Sequence, residues 1–330
     1  MTMAKMSEEF NRMFQGYQVS GVSVEGEETI LSIKNETGSG TMGCYNVFPG
    51  IFLVYNHMAM DSCYQKVKPV SGFLQMNHCR RGCFEFELET GSRCFMGEGD
   101  LAVNDPETLM VVHSRFPLGK YEGVTIMMEL EPASKWLEQN VPWANINLYE
   151  MKRRLGIQDA AFMVRASAGI RHIFDELYKV DERIRRPYII LKIVELIMFL
   201  TLTAEEKREY LPRFSPAVAD GTKAVHEYLA KHPLERLTLA ELSAKFHIAE
   251  TSLKCCFKAI YGQTPGTFLR GERLKIGARL LIESPEMSIG EIALQAGYEN
   301  PSKFARAFKA MFGETPLAYR HKGISMTDWS

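Results

Sequence analysis

Near the C-terminus the string Phe257-Lys-Ala-Ile-Tyr-Gly-Gln-Thr-Pro265 returns 51 residues later as Phe308-Lys-Ala-Met-Phe-Gly-Glu-Thr-Pro316. Six of the nine positions are identical, and the other three are conservative exchanges. Each copy has a matching upstream half, Thr238-Leu-Ala-Glu-Leu242 and Ser288-Ile-Gly-Glu-Ile292. One small unit is written twice, so this part of the chain must build two equivalent local folds with a spacer between them.

Each unit reads as two short helices joined by a tight turn. Thr238 with Glu241, and Ser288 with Glu291, fit the capping box in which hydroxyl and carboxylate satisfy helix-start amides reciprocally. First helices are predicted over about 239–246 and 289–296. Gly297 can take the positive φ that the second turn needs. His247 stands at the equivalent place in the first copy, and histidine is among the side chains enriched in that conformation. Second helices are predicted over about 250–261 and 301–312, the latter opened by Asn300 as N-cap and Pro301 at N1. Leu253/Phe257 and Phe304/Phe308 lie at i, i+4 and face inward. The opposite side carries Thr251, Lys254, Cys255 and Lys258 in one copy, and Ser302, Ala305, Arg306 and Lys309 in the other. Donor-bearing side chains on an outward helix face are what entry into a DNA major groove requires. Residues 268–282 between the units keep helical apolar spacing through Leu274, Ala278 and Leu281. They read as a rigid connecting helix of about 25 Å, beside the roughly 34 Å that separates half-sites one duplex turn apart.

On these residues the chain resembles the AraC/XylS family of bacterial transcription regulators over about 218–322. The anchors are the repeated halves, Arg273 and Ala278-Arg-Leu-Leu281, Ile292-Ala with Gly297-Tyr298, Phe304-x-x-x-Phe308-Lys309, and Thr315-Pro316-x-x-Tyr319-Arg320. The resemblance implies that the second helix of each unit enters the major groove of double-stranded DNA. Base contacts would then come from Thr251, Lys254, Cys255, Ser302, Ala305 and Arg306. Arg306 is the foremost candidate, because bidentate arginine to guanine is the commonest specific contact. Lys258, Lys303 and Lys309 are placed to touch phosphates.

Net charge is −1, so the whole chain is no general polycation. Residues 217–330 carry 15 Lys/Arg against 12 Asp/Glu, and residues 1–216 carry 24 against 28. A mildly basic C-terminal part joined to an acidic N-terminal part fits a DNA reader attached to something else. Residues 1–10 lack the apolar core of a signal peptide. The greasiest run, Tyr188 to Thr203, is broken by Lys192 and Glu195 and is too short to span a bilayer. The seven cysteines show no secreted disulfide spacing, which points to a reducing bacterial cytoplasm.

From about 45 to 130 the pattern becomes strands separated by Gly, Pro and Asp turns. The clearest are 51–55, 73–77, 84–88, 101–103, 109–113 and 124–128, with strict alternation at Phe84, Phe86 and Leu88. Gly97-Glu-Gly-Asp-Leu101 is similar to the G-D turn of cupin-type barrels, a common partner domain in the family. Helices are expected over 133–138, 148–155, 160–180 and 186–202. The overall expectation is therefore an α+β chain. Residues 1–131 form a cupin-like jelly-roll barrel acting as sensor, and 132–204 a helical packing or dimerisation region. A linker at 205–217 leads to an all-α double helix-turn-helix domain at 218–322 and a tail at 323–330. Phe73, Met76, Phe84, Phe86, Phe95 and Met110 are candidate pocket residues for a small-molecule effector. Ile170, Phe174, Leu177, Ile189, Ile193, Leu196 and Leu200 make apolar faces that cover the barrel or pair with a second copy.

The reading is a ligand-responsive transcription activator, a homodimer working with RNA polymerase, and neither an enzyme nor a cofactor protein. A competing class joins the same DNA reader to chemistry: an Ada-like alkyl-transfer protein, a cupin-type metal enzyme, or a metal or redox sensor. Its candidate ligands are His57, His78, Cys79, Cys83 and Cys94, with His113 and Glu85 or Glu87 for a cupin site. His78-Cys79-Arg-Arg-Gly-Cys83 would straddle a turn. The set offers one close cysteine pair, where Ada-type regulators have two, and lacks the tight H-x-H spacing of a cupin metal centre.

Overall fold

The computed structural model describes residues 16–65, 71–157, 160–206 and 209–327. The chain divides into two compact units, residues 1–216 and 217–330. The expectation about residues 1–10 lies outside the described residues.

The first unit is built on two antiparallel sheets. The larger follows the order β1 (Val19–Glu25), β2 (Glu28–Asn35), β3 (Gly38–Phe48), β4 (Ile51–Ala59), β11 (Tyr121–Glu129), β6 (Phe73–Gly82), β9 (Leu101–Asn104) and β12 (Phe162–Val164). The smaller has the order β5 (Ser62–Gln65), β10 (Val111–Arg115), β7 (Phe84–Leu88) and β8 (Arg93–Met96). Side chains alternate across a strand, so each strand of the large sheet serves two cores. Phe52, Val54, Met127 and Ala102 join Phe86, Leu88 and Cys94 in a core between the sheets. Ile51, Leu53, Ile126 and Leu101 point the other way, into a core closed by helices. Burial on both faces explains why Ile51–Tyr55 reads as an unbroken apolar run, whereas β7 alternates.

The closing helices are α1 (Leu130–Asn140), α2 (Leu148–Leu155), α3 (Ala168–Lys179) and α4 (Arg185–Glu206). The helix expected over 160–180 is corrected. Residues 162–164 pair with β9, and α3 starts only after Ser167, whose hydroxyl accepts from the Ile170 amide at 3.3 Å. The strand system also begins at Val19 rather than about 45. The turn expected within 78–83 is continuous strand, with the change of direction left to Gly82 at φ 91°. A Cβ there would stand 2.2 Å from the Lys120 carbonyl oxygen, so only glycine lets β6 turn toward β7 at that point. Within the expected linker, Leu211 and Phe214 are buried, and Phe214 exchanges backbone hydrogen bonds with Arg93 of β8. Lys192 and Glu195 on α4 pair at 2.9 Å, and no helix among the described residues is long and apolar enough to cross a membrane.

The second unit is all helix: α5 (Pro216–Lys231), α6 (Leu239–Phe246), α7 (Glu250–Tyr261), α8 (Pro265–Glu283), α9 (Ile289–Gln295), α10 (Pro301–Phe312) and α11 (Pro316–Thr327). The tail expected at 323–330 is helical through Thr327, and 328–330 lie outside the described residues. One core takes Val225, Leu229, Leu242, Leu253, Phe257 and Leu269. The other takes Leu274, Ala278, Leu281, Ile292, Phe304 and Phe308.

Candidate nucleic-acid interface

The sequence repeat becomes a repeat of bond geometry. The Thr238 hydroxyl accepts from the Glu241 amide at 3.2 Å, while the Glu241 carboxylate accepts from the Thr238 amide at 2.7 Å. Ser288 and Glu291 reproduce the same two bonds at 3.2 and 2.7 Å. These bonds hold both carboxyls below their ordinary range. His247 closes the first helix at φ 54° and Gly297 opens the second turn at φ 80°. Asn300 accepts from the amides of Ser302 and Lys303 at 2.9 and 3.1 Å, starting α10. The shared Thr-Pro pairs start the helix that follows each unit. Thr264 accepts from the Thr267 amide and Thr315 from the Ala318 amide, both at 3.3 Å.

A further correspondence escapes the sequence reading, because its partners are backbone carbonyls. Arg273 of α8 donates to the carbonyls of Pro233 and Glu235 at 2.8 and 3.1 Å. Arg320 of α11 donates to those of Pro285 and Met287 at 3.3 and 2.7 Å. In both copies the exit helix ties down the loop that precedes the entry helix.

These supports aim α7 and α10. Leu253, Phe257, Phe304 and Phe308 are wholly buried. Thr251, Lys254, Cys255 and Lys258 are exposed on α7, as are Ser302, Lys303, Arg306 and Lys309 on α10. Ala305 is half-buried at the edge of that face. Helix α8 enters both cores, Leu269 in the first and Leu274, Ala278 and Leu281 in the second. At Gly277 an added Cβ would meet the Phe304 ring at 2.7 Å, so α8 and α10 pack closely at that point.

In the first unit the candidate pocket residues do not gather. Met76 packs into the helix-side core, and Phe84 and Phe86 into the core between the sheets. Phe73 and Phe95 are fully buried, and Met110 is half-buried. None of the six lines either of two cavities, of about 810 and 290 Å³. Large apolar side chains are taken first by packing, which is why a list of aromatics is a poor guide to a pocket. The seven dimerisation candidates are likewise corrected. Ile170, Phe174, Leu177, Ile189, Ile193, Leu196 and Leu200 are at most 2 % exposed and form the helix-side core, so that face is spent inside the protomer.

Strand alternation separates the histidines of the metal set from its cysteines, of which Cys79 and Cys94 share the core between the sheets and Cys83 is buried. Cys79 faces the core between the sheets, while its neighbour His78 stacks on Phe174 of α3 with ring centroids 3.9 Å apart. His57 and His113 are exposed on separate sheets. Glu85 is fully buried against Arg93 and Arg115, each at 3.4 Å, and Glu87 also pairs with Arg115. Burial pushes the Cys94 thiol up to about 11 and raises Cys79 well above its usual value, opposing the thiolate that zinc takes. No three His, Cys, Asp or Glu among the described residues are grouped to hold a metal ion.

His78 has a testable consequence of its own. Both ring nitrogens are buried without a partner among the described residues, and burial lowers its pKa to about 3. Between that value and the unfolded value of about 6.5, the unfolded chain binds a proton that the folded chain refuses. Stability therefore falls as pH drops through this window, by about 2 kcal/mol from this residue at pH 5. His78→Phe is expected to be more stable than the parent, with a gain that grows by about 2 kcal/mol from pH 7 to pH 5. Urea titrations at the two pH values read this directly. A pH-independent difference would mean that His78 is solvated and free to charge.

Comparison with known proteins agrees with the C-terminal geometry. Residues 242–322 match the family described as helix-turn-helix domain. The transcriptional regulator ExsA of Pseudomonas aeruginosa is 33 % identical over 93 residues, which cover 28 % of this chain and 33 % of that protein. The virulence regulon transcriptional activator VirF of Yersinia enterocolitica is 23 % identical over 182 residues, covering 54 % of this chain and 66 % of that one. The chain thus spans only a third of ExsA. A solved AraC family regulator from Rhodopseudomonas palustris aligns at 26 % identity and TM-score 0.30, covering 32 % of this chain and 97 % of that chain. With the duplicated caps, turns and arginine ties, the sequence match identifies residues 242–322 as a helix-turn-helix domain similar to those of transcriptional regulators such as ExsA and VirF.

Proposed function

We propose that the chain is a sequence-specific DNA-binding transcription regulator, reading two adjacent major-groove segments through α7 and α10. The observation that carries this is the pair of exposed faces held by one helix that enters both cores. On this reading Arg306 and Lys254 contact base edges, with Thr251 and Ser302 beside them, while Cys255 and Ala305 offer apolar contact to a thymine methyl. Lys258, Lys303 and Lys309 hold phosphates and make binding salt-dependent.

The first unit is the sensing half of the chain. Its two facing antiparallel sheets suit a cupin-like jelly-roll sensor over 1–131, followed by helices over 132–204 and a linker over 205–217. Effector binding there would alter DNA occupancy or contact with RNA polymerase in the bacterial cytoplasm, as an activator. A homodimer belongs to the proposal through residues other than the seven buried ones. Leu191, Met198 and Leu202 are exposed on α4 for such a contact. The enzymatic alternative loses its support, because no three of its candidate ligands are grouped to hold a metal ion among the described residues.

The test starts from duplexes enriched out of a random pool by the full chain. Arg306→Ala is expected to weaken binding to the enriched sequence by about 1–3 kcal/mol and to relax one base preference. Fluorescence anisotropy against the enriched and a scrambled duplex separates the roles. Equal loss on both would make Arg306 a phosphate contact, and failure to enrich any sequence would remove the DNA-reading proposal.

A further inference from the structure

The smaller cavity, about 290 Å³, lies on the helix side of the large sheet at the corner between α3 and α4. It is outside the core between the two sheets. Tyr45 and Tyr55 of the sheet, Tyr178 of α3 and two guanidiniums, Arg80 and Arg185, line it. Arg185 and Glu28 are already engaged. Arg185 donates to the Tyr45 hydroxyl at 2.9 Å, and that hydroxyl donates to Glu28 at 2.5 Å.

Arg80 and Tyr178 are left in a different condition. The Arg80 guanidinium stacks over the Tyr178 ring at 4.3 Å. Its ion pair with Glu122 is 3.8 Å long, beyond hydrogen-bond length, and Glu122 is shared with Arg81 at 3.7 Å. One carboxylate therefore answers two guanidiniums. The Tyr178 hydroxyl is buried with no hydrogen-bond partner among the described residues, and burial raises its pKa, so it stays a donor. Beside a cavity walled by tyrosine rings, the Tyr178 hydroxyl thus lacks an acceptor and the neighbouring Arg80 has only a long, shared ion pair. An unanswered buried donor carries a desolvation cost that an acceptor on a ligand would remove.

We propose that this cavity binds a small carboxylate-bearing molecule, its carboxylate taking hydrogen bonds from Arg80 and Tyr178 and its apolar part lying against Tyr45 and Tyr55. A guanidinium fork matches a carboxylate in two bonds, and the phenol supplies a third. The chamber is at the small end of ligand sites, which limits the occupant to a short chain or a single ring. The proposal rests on the reading of the first unit as the sensor, and its test uses no DNA, so the two fail separately.

Phenylacetate and hexanoate are the probes, with phenylacetamide and hexanamide as neutral counterparts, titrated calorimetrically into the full chain. The acids are expected to bind in the millimolar range or tighter, with the amides about tenfold weaker or worse. Arg80→Gln and Tyr178→Phe are each expected to lower the affinity for the acids by about tenfold. Tyr178→Phe keeps the ring beneath Arg80 and is expected to melt no lower than the parent, so its effect reports the hydroxyl and not misfolding. Absence of acid binding at millimolar concentration, amides binding as well as acids, or unchanged affinity in both variants would each overturn the proposal. Binding of inorganic phosphate alone would overturn the carboxylate assignment.

Discussion

Phe304→Ala is expected to cost the second unit about 3–5 kcal/mol. Phe304 is wholly buried, edge-on to Tyr298 at 5.4 Å and tilted against Phe308 at 5.5 Å. The void cannot close cheaply. The wall opposite the ring is Gly277, which has no side chain to swing inward, and α8 is held at its other end by Leu269 in the first core. Urea unfolding of the full chain, followed by hydrogen exchange at α10 amides, measures the loss. The exposed Leu294→Ala serves as control, with an expected change inside about 0.5 kcal/mol. A loss for Phe304→Ala below about 1.5 kcal/mol would show that α8 and α10 collapse onto the cavity, contrary to the rigidity expected of α8.

Comparable in size is the effect expected at Glu85 in the first unit. Its carboxylate is fully buried, with Arg93 at 13 % and Arg115 at 32 % side-chain exposure around it. Removing the carboxylate alone, as in Glu85→Ala, takes a fully buried counter-charge away from two guanidiniums at once. The expected cost is about 3–5 kcal/mol. Glu85→Gln keeps the shape and some hydrogen bonding, so a smaller loss is expected. Thermal and urea unfolding of both variants decide the matter. Equal, small losses in the two would mean that solvent reaches Arg93 and that the cluster is not buried in effect. The sign matters for function too, because it makes Glu85 a structural anion rather than a metal ligand.

The second unit was legible because its signals are local. A capping box, a positive-φ turn and an i, i+4 apolar pair each act within a few residues, so their patterns survive in one dimension. Even the histidine standing where a glycine was expected could be anticipated from its tolerance of that conformation. The two arginine ties were not, since they end on carbonyls that any residue supplies. The first unit depends on pairings between distant strands, and its errors follow from that. Strands β1 to β3 intersperse Val, Ile and aromatic residues with Gly, Ser and Thr, and register with their neighbours makes them a sheet. Residues 162–164 look like the start of a helix until β9 is available as a partner. His78 and Cys79 sit side by side in sequence and on opposite faces in space, so a cluster in one dimension becomes a dispersal in three. The site-forming tyrosines and arginines of the small cavity come from strands, a helix and a helix start far apart in sequence. No spacing rule could have joined them.

The sharing of α8 between two cores makes a number of residues, rather than any one residue, the property to be preserved. Adding one residue to a helix turns everything beyond it by about 100° and advances it by about 1.5 Å. Between Leu269 and Leu274 such a change would twist one packed core against the other, since both grip the same rod. Substitution and insertion therefore meet opposite tolerances in this unit. The outward side chains of α7 and α10 touch solvent and can be exchanged without disturbing a core, whereas the length of the rod between the cores is locked.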